Sequence, residues 1–188
     1  TRLTLVTGVQ TCALPISIIG AAIFPLVFKW TGNKGWAASV FSVLMGVSMV
    51  VLYFFSPNEE PLWFYLFAAL AQFFFSGFNT AIYAIIPDCV EYGEWKTGIR
   101  NDGFQYSFIS LANKIGMALG TSLLALVMGW AGYEANVEQS ETVKEVIHHA
   151  FSTVPGILWI ITAGIMLFYR LSRKEYNQII NELENRKK

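Results

Sequence analysis

The sequence predicts an all-α integral membrane protein with five transmembrane helices, and three observations predict it. Of 188 residues, 54% are hydrophobic and 14% charged, with a mean hydropathy of +0.47, against the roughly 25% charged residues of soluble domains. Aspartate, glutamate, lysine and arginine are missing from long runs: Gly35–Asn58, Pro61–Pro87, Gly103–Asn113, Ile115–Tyr133 and Val146–Tyr169. A helix needs about 20 apolar residues to cross the ~30 Å hydrocarbon layer, and these runs supply four such segments once Lys114 is accepted inside one of them. The third observation is how lysine and arginine are distributed among the links.

In chain order, the helices are expected at about 15–29, 36–55, 61–86, 103–132 and 146–170. The first is short but apolar and ends at Lys29 and Trp30. "KWTGNKG" (29–35) carries the glycines and asparagine that favour a turn, and "SPNEEP" (56–61) is a compact acidic turn. The third link, 87–102, belongs to "IPDCVEYGEWKTGIRNDG", the most polar stretch of the chain. The fourth, "GYEANVEQSETVKE" (132–145), is longer and acidic. The tail, 171–188, places Leu171, Tyr176, Ile179, Ile180 and Leu183 at helical spacing, which fits an amphipathic helix outside the bilayer.

Basic residues concentrate on the cytoplasmic side of membrane proteins. Ten of the thirteen lysines and arginines fall in links one and three and the tail: Lys29, Lys34, Lys96, Arg100, Arg170, Arg173, Lys174, Arg186, Lys187 and Lys188. Links two and four hold only Lys144. The third link and the C-terminus are therefore expected in the cytoplasm.

Lys114 is the single charge in the fourth helix. At ~1.5 Å per residue it lies about 16 Å from the cytoplasmic entry, near the midplane. A lysine there costs about 2.5–3.5 kcal/mol on insertion scales and usually faces a bundle interior or a water-filled pathway. Ser107, Ser110, Lys114, Ala118 and Thr121 share one stripe, with Asn113 beside it. Ala112, Gly116 and Gly120 fall roughly opposite, in a small-xxx-small pattern suited to close helix packing. Phe78, Asn79 and Tyr83 lie in the middle of the third helix, where an amide beside aromatics either lines a sugar-sized cavity or packs between helices. His148 and His149 point about 100° apart on a helix and fit an interfacial polar role. Most of Trp36, Trp63, Tyr65, Trp130, Tyr133 and Trp159 sit near helix ends, as an aromatic belt does.

Other classes lack their parts. Cys12 and Cys89 make no CxxC pair or metal-ligand spacing, so no metal and no cofactor are expected. No HExxH, phosphate-cradling loop or nucleophile elbow occurs, and an enzyme is not expected. A net charge of zero argues against nucleic-acid binding. "VTGVQTCALPI" (6–16) resembles the translation of a short-read sequencing adapter. On that resemblance, 1–16 is a non-native lead-in, authentic sequence begins near Ser17, and the chain is a fragment.

"PDCVEYGEWKTGIRNDG" followed by Tyr106, Ser107 and Lys114 resembles the glycoside–pentoside–hexuronide:cation symporter family, melibiose-carrier-like members of the major facilitator superfamily. The resemblance extends over about 17–188. It implies a partial C-terminal half of a twelve-helix bundle, from the end of helix eight through helix twelve, in a bacterial cytoplasmic membrane. It implies a transporter that couples uptake of a sugar to Na⁺ or H⁺ by alternating access, with lipid, the sugar and the N-terminal half of the same protein as partners. Lys114 then matches a helix-eleven lysine near the sugar and cation site, with Ser110 and Asn113 flanking it; Asn79 and Tyr83 are further site residues on their own chemistry, Asn79 departing from the aromatic residue of melibiose-type relatives. Asp88, Glu91 and Arg100 match charges of a cytoplasmic gate, to which Lys96 and Asp102 of the same link are added. Such charges pair with other cytoplasmic elements in the outward-facing state. The family's cation-binding carboxylates lie in the N-terminal half, outside this chain. The other reading the residues allow is a non-transporting five-helix scaffold subunit of a membrane complex.

Overall fold

The computed structural model describes residues 2–55, 60–135, 137 and 139–186, with side chains from residue 14 onward. Every regular element among them is helical: α1 (Arg2–Thr31), α2 (Lys34–Leu52), α3 (Pro61–Thr97), α4 (Asp102–Trp130), α5 (Glu141–His148), a π-helical turn (His149–Thr153), α6 (Val154–Met166) and α7 (Arg173–Arg186). Five stretches are long and apolar enough to cross a membrane: Leu14–Thr31, Lys34–Leu52, Pro61–Thr97, Asp102–Trp130 and the joined Glu141–Met166. This is the all-α, five-span architecture that the uncharged runs predict. Of the 6–16 stretch, the backbone belongs to α1 and the side chains up to residue 13 lie outside the described residues.

The packing centres on α2, which touches α3 on one side and α6 on the other, while α1 packs along α3. Small residues permit these approaches. Ala37, Ala38 and Ala81 are buried beside Phe24, Phe41 and Phe78, and a Cβ at Gly77 would run into the Phe41 ring. A Cβ at Gly46 would come within 2.7 Å of the Gly156 carbonyl oxygen, and one at Gly156 within 2.9 Å of the Gly46 carbonyl oxygen. Hydroxyls then join the two backbones: Ser39 Oγ donates to the Ala163 carbonyl at 2.9 Å and Ser42 Oγ to the Trp159 carbonyl at 2.7 Å. Lipid supplies no hydrophobic drive between helices, so such close contacts and hydrogen bonds, on the order of 0.6 kcal/mol each, hold the spans together.

Gly156→Val therefore lowers the stability of the chain in detergent by about 1–3 kcal/mol, the usual cost of overpacking. Gly164→Val is the control, because nothing among the described residues lies within 4 Å of a Cβ there. Equal shifts in thermal midpoint for the two variants would contradict the α2–α6 contact.

Two boundaries differ from the sequence expectation. The third span does not end near residue 86 but continues as helix to Thr97, where Gly98 (φ 74°) forms a left-handed C-cap. Pro87 removes one N–H and disturbs the preceding turn, yet Ile86 and Val90 stay buried four residues apart on the same face. At 37 residues and ~1.5 Å each, α3 is about 55 Å long, far more than the hydrocarbon layer requires, so its charged end projects beyond it. The last span is not one regular helix. A π-helical turn precedes Pro155, one of the devices that absorb a missing proline N–H within a membrane helix.

α4 stands apart: none of its residues is buried. It meets α3 along an apolar cleft of about 220 Å³ lined by Ile82, Ile85, Ile86, Phe104, Phe108 and Ile109, among others. Nothing among the described residues lies within 4 Å of a Cβ built at Gly116 or Gly120. The close contact expected at that small-residue stripe is thus not made within this chain.

Candidate functional site

At the end of the bundle where α1 finishes and α2 begins, local sequence places a lysine inside the fold. Asn33 caps α2, its Oδ1 accepting from the Gly35 and Trp36 N–H groups, and this starts the helix at Lys34. The Lys34 ammonium donates to Asp88 Oδ1 at 2.7 Å and to the Ala84 carbonyl at 2.9 Å, one turn before Asp88 and beside Pro87. It also lies over the rings of Tyr176 and Phe28, 5.4 and 5.7 Å from their centroids. Asp88 is buried, at 3% exposure, and its second oxygen accepts from the Tyr169 hydroxyl at 3.0 Å. One carboxylate therefore ties together the start of α2, the projecting end of α3 and the segment after α6. Burial, and then the Asp88 charge, push the Tyr169 phenol well above its ordinary range, so it stays a donor.

One turn further along α3, Glu91 faces Tyr176 of α7, and its Oε2 is buried without a hydrogen-bond partner among the described residues. Burial first and Glu91 second raise the Tyr176 phenol. Glu94, also buried, accepts from Arg100 at 3.1 Å, and the same guanidinium donates to Asp102 at 2.7 Å. Arg100 so joins the last turn of α3 to the first turn of α4. Lys96 is exposed, with its ammonium 5.6 Å from the centroid of Tyr92. The tail helix completes the assembly: the Trp95 indole N–H donates to Glu182 at 2.6 Å, and Arg186 donates to the Trp95 carbonyl at 2.9 Å. That carbonyl is among the last four of α3, which have no partner within the helix.

The five charges expected at a gate, Asp88, Glu91, Lys96, Arg100 and Asp102, thus sit at one end of the molecule, and four of them engage other elements of this chain. Lys34, Tyr169, Tyr176, Glu182 and Arg186 are site residues that the sequence reading did not assign. Lys34 had a signal in the asparagine before it, which marks a helix start and moves the lysine from a link into a first turn. Tyr169 had none, because its role depends on a contact 81 residues away.

The second group behaves differently. Lys114, Ser110 and Asn113 are all exposed on α4, and Lys114 has no ion pair or hydrogen bond among the described residues. Phe78 belongs to the core, edge-on to Trp159 with centroids 4.8 Å apart. Asn79 is half-buried, and Tyr83 is 60% exposed. No hydrogen bond among the described residues joins either of them to Lys114. The fold therefore displays a polar stripe on a helix of spanning length without closing a cavity over it.

Five spans, a polar stripe around a mid-span lysine and an ion-paired cluster at one end define a multi-pass helical membrane protein with two polar regions and no catalytic nucleophile–base arrangement among the described residues. The chain belongs to the family described as "MFS/sugar transport protein", which matches residues 3–173; this is a family of transporters rather than enzymes. It is 34% identical over 172 residues to the "Putative sulfoquinovose importer" of Escherichia coli (strain K12), covering 90% of this chain and 36% of that protein. It is 38% identical over 109 residues to the "Glucuronide carrier protein homolog" of the same organism, covering 58% and 24%. To the "Isoprimeverose transporter" of Lactiplantibacillus pentosus it is 35% identical over 101 residues, covering 53% and 21%. The matched regions thus amount to about a third or less of the length of these relatives. No solved structure matches.

Proposed function

We propose that this chain forms the C-terminal part of a secondary transporter that couples sugar uptake to Na⁺ or H⁺ by alternating access. The observation that carries this reading is the stripe of Lys114, Ser110 and Asn113, exposed on a helix that is otherwise fit for lipid. A charged residue at that depth needs a polar cavity, and family membership supplies the reason for one. The sugar and cation bind near the midplane between two pseudo-symmetric halves that rock about the site. Lys114 provides positive field and N–H donors, Ser110 and Asn113 flank it, and Asn79 and Tyr83 of α3 contribute from the neighbouring helix. The relatives' names point to sugars and glycosides as cargo.

The charged end acts as the cytoplasmic gate, with the C-terminus on the cytoplasmic side of a bacterial inner membrane, a reading supported by the lysines and arginines of links one and three and the tail. Asp88, Glu91, Arg100, Lys96 and Asp102 bias the inward- and outward-facing states, with Lys34 and Tyr169 holding Asp88 in place. The test is uptake by the full-length protein in proteoliposomes. Labelled glucuronide, sulfoquinovose and isoprimeverose are offered under an imposed Na⁺ gradient and, separately, an imposed H⁺ gradient. Accumulation of at least one sugar above its external concentration under one gradient is expected. Equilibration without accumulation under both would refute coupling, and no uptake of any sugar would refute the sugar reading.

A further inference from the structure

One groove adjoins the charged end and shares Tyr169 and Glu182 with it. It lies between the projecting end of α3, the segment after α6 and the tail helix α7, and has a volume of about 570 Å³, within the ~300–1,000 Å³ of ligand sites. Tyr92 and Trp95 line it from α3, their ring centroids 5.9 Å apart. Arg170 lines it from the segment after α6, and Glu175, Gln178 and Glu182 from α7. Its position is that of a bilayer margin: the last apolar span ends at Met166, and the groove begins at Phe168, whose side chain is 81% exposed.

The polar atoms on offer are specific. Arg170 has no ion pair or hydrogen bond among the described residues. Glu182 uses Oε2 on the Trp95 indole, and its Oε1 has no hydrogen bond or ion pair among the described residues. Glu175 accepts from the Ser172 backbone N–H through Oε2 and also from the Ser172 side chain, contacts that hold its carboxyl below the ordinary range. Among the described residues the groove thus presents one unpaired guanidinium, the Glu182 carboxylate with a spare oxygen, the Glu175 carboxylate and two aromatic rings.

We propose that this groove binds the headgroup of a phosphatidylethanolamine molecule. The phosphate pairs with Arg170, the ammonium donates to Glu182 Oε1 and to the Glu175 carboxylate beside the Tyr92 and Trp95 rings, and the acyl chains run over Phe168 into the bilayer. Charge selects this occupant. A purely anionic headgroup satisfies Arg170 but brings uncompensated negative charge to two carboxylates. A choline headgroup is attracted by the rings but has no N–H to give the carboxylates. Arginine and aromatic pockets at the ends of spans are where headgroups dock.

The test is native mass spectrometry of the purified full chain, loaded in turn with dioleoyl phosphatidylethanolamine, phosphatidylcholine and phosphatidylglycerol and stripped by stepwise activation. Retention of about one phosphatidylethanolamine, roughly tenfold tighter than either other lipid, is expected, the equivalent of one charge-assisted hydrogen bond. Arg170→Ala and Glu182→Gln each remove that preference; the glutamine keeps an acceptor for Trp95, and circular dichroism checks the fold of both. Should Arg170→Ala misfold, Glu182→Gln alone decides. Equal retention of all three lipids, tightest retention of phosphatidylglycerol or phosphatidylcholine, or unchanged preference in a folded variant would each overturn the proposal.

Discussion

Lys114→Ala in the full-length transporter is expected to abolish cation-driven sugar accumulation while the protein still inserts. Removing a lysine from the middle of a span relieves an insertion cost of about 2.5–3.5 kcal/mol, so the variant is no harder to place in the membrane than the parent. No described residue pairs with Lys114, and none of α4 is buried, so the substitution breaks no packing within this chain. On the proposed function, what it removes is a set of N–H donors and a positive field at the substrate path. Losing one charge-assisted contact, ~1.5–3 kcal/mol, lowers accumulation by at least about tenfold. Lys114→Arg keeps charge and donors but changes their geometry, and retains part of the activity. Normal accumulation by Lys114→Ala, with surface expression verified by a C-terminal tag, would remove the lysine from the mechanism.

The second large effect is structural. Asp88→Asn removes one partner of a pair whose side chains are only 5% (Asp88) and 19% (Lys34) exposed. Leaving one buried charge uncompensated costs about 3–5 kcal/mol. The loss falls on the joint between α2, α3 and the segment after α6, because Asp88 also receives the Tyr169 hydroxyl. Tyr169→Phe removes one hydrogen bond to a charged group and costs less, about 1.5–3 kcal/mol. The double variant Lys34→Met/Asp88→Leu recovers most of the lost stability, since apolar replacements of a buried pair are often neutral. Denaturation midpoints of Lys34→Met, Asp88→Leu and the double variant give the coupling directly. Additive losses would show that the Lys34–Asp88 contact is not an energetic unit.

How far the sequence could be read follows from what each signal depends on. The spans were legible because lipid removes charge from whole runs of residues, and composition over twenty residues records that. The end of α3 was not legible, because Pro87 and a burst of charges look like a link whether the backbone is helical or not. Only the buried face of Ile86 and Val90, and Lys34 reaching the Ala84 carbonyl, reveal that the helix continues. The charges of that stretch were recognisable as a group, but their partners were not. Asp88 is expected to pair with another element of the charged end, and the partners it meets are Lys34 and Tyr169. Such pairings, 54 and 81 residues apart, leave no local pattern. Tyr176 was noted only as an apolar member of the tail stripe, although its hydroxyl faces Glu91 while its ring faces Lys34. The stripe around Lys114 was legible from helical spacing alone, and the fold leaves it open. Gly116 and Gly120 match a small-residue packing motif and meet nothing among the described residues, whereas the glycines that permit close helix approach here include Gly20, Gly46, Gly77 and Gly156.

The central claim is that the Lys114 face of α4 lines an aqueous, sugar-binding path, and cysteine accessibility tests it most directly. Ser110→Cys and Leu119→Cys are placed on the polar stripe and away from it in a full-length protein whose native cysteines are replaced by serine. Both are reacted with a membrane-impermeant maleimide in proteoliposomes that contain both orientations. The account predicts that Ser110→Cys reacts, that a transported sugar slows its labelling, and that Leu119→Cys stays unlabelled in lipid. An unreactive Ser110→Cys, or labelling indifferent to every sugar tested, would contradict it.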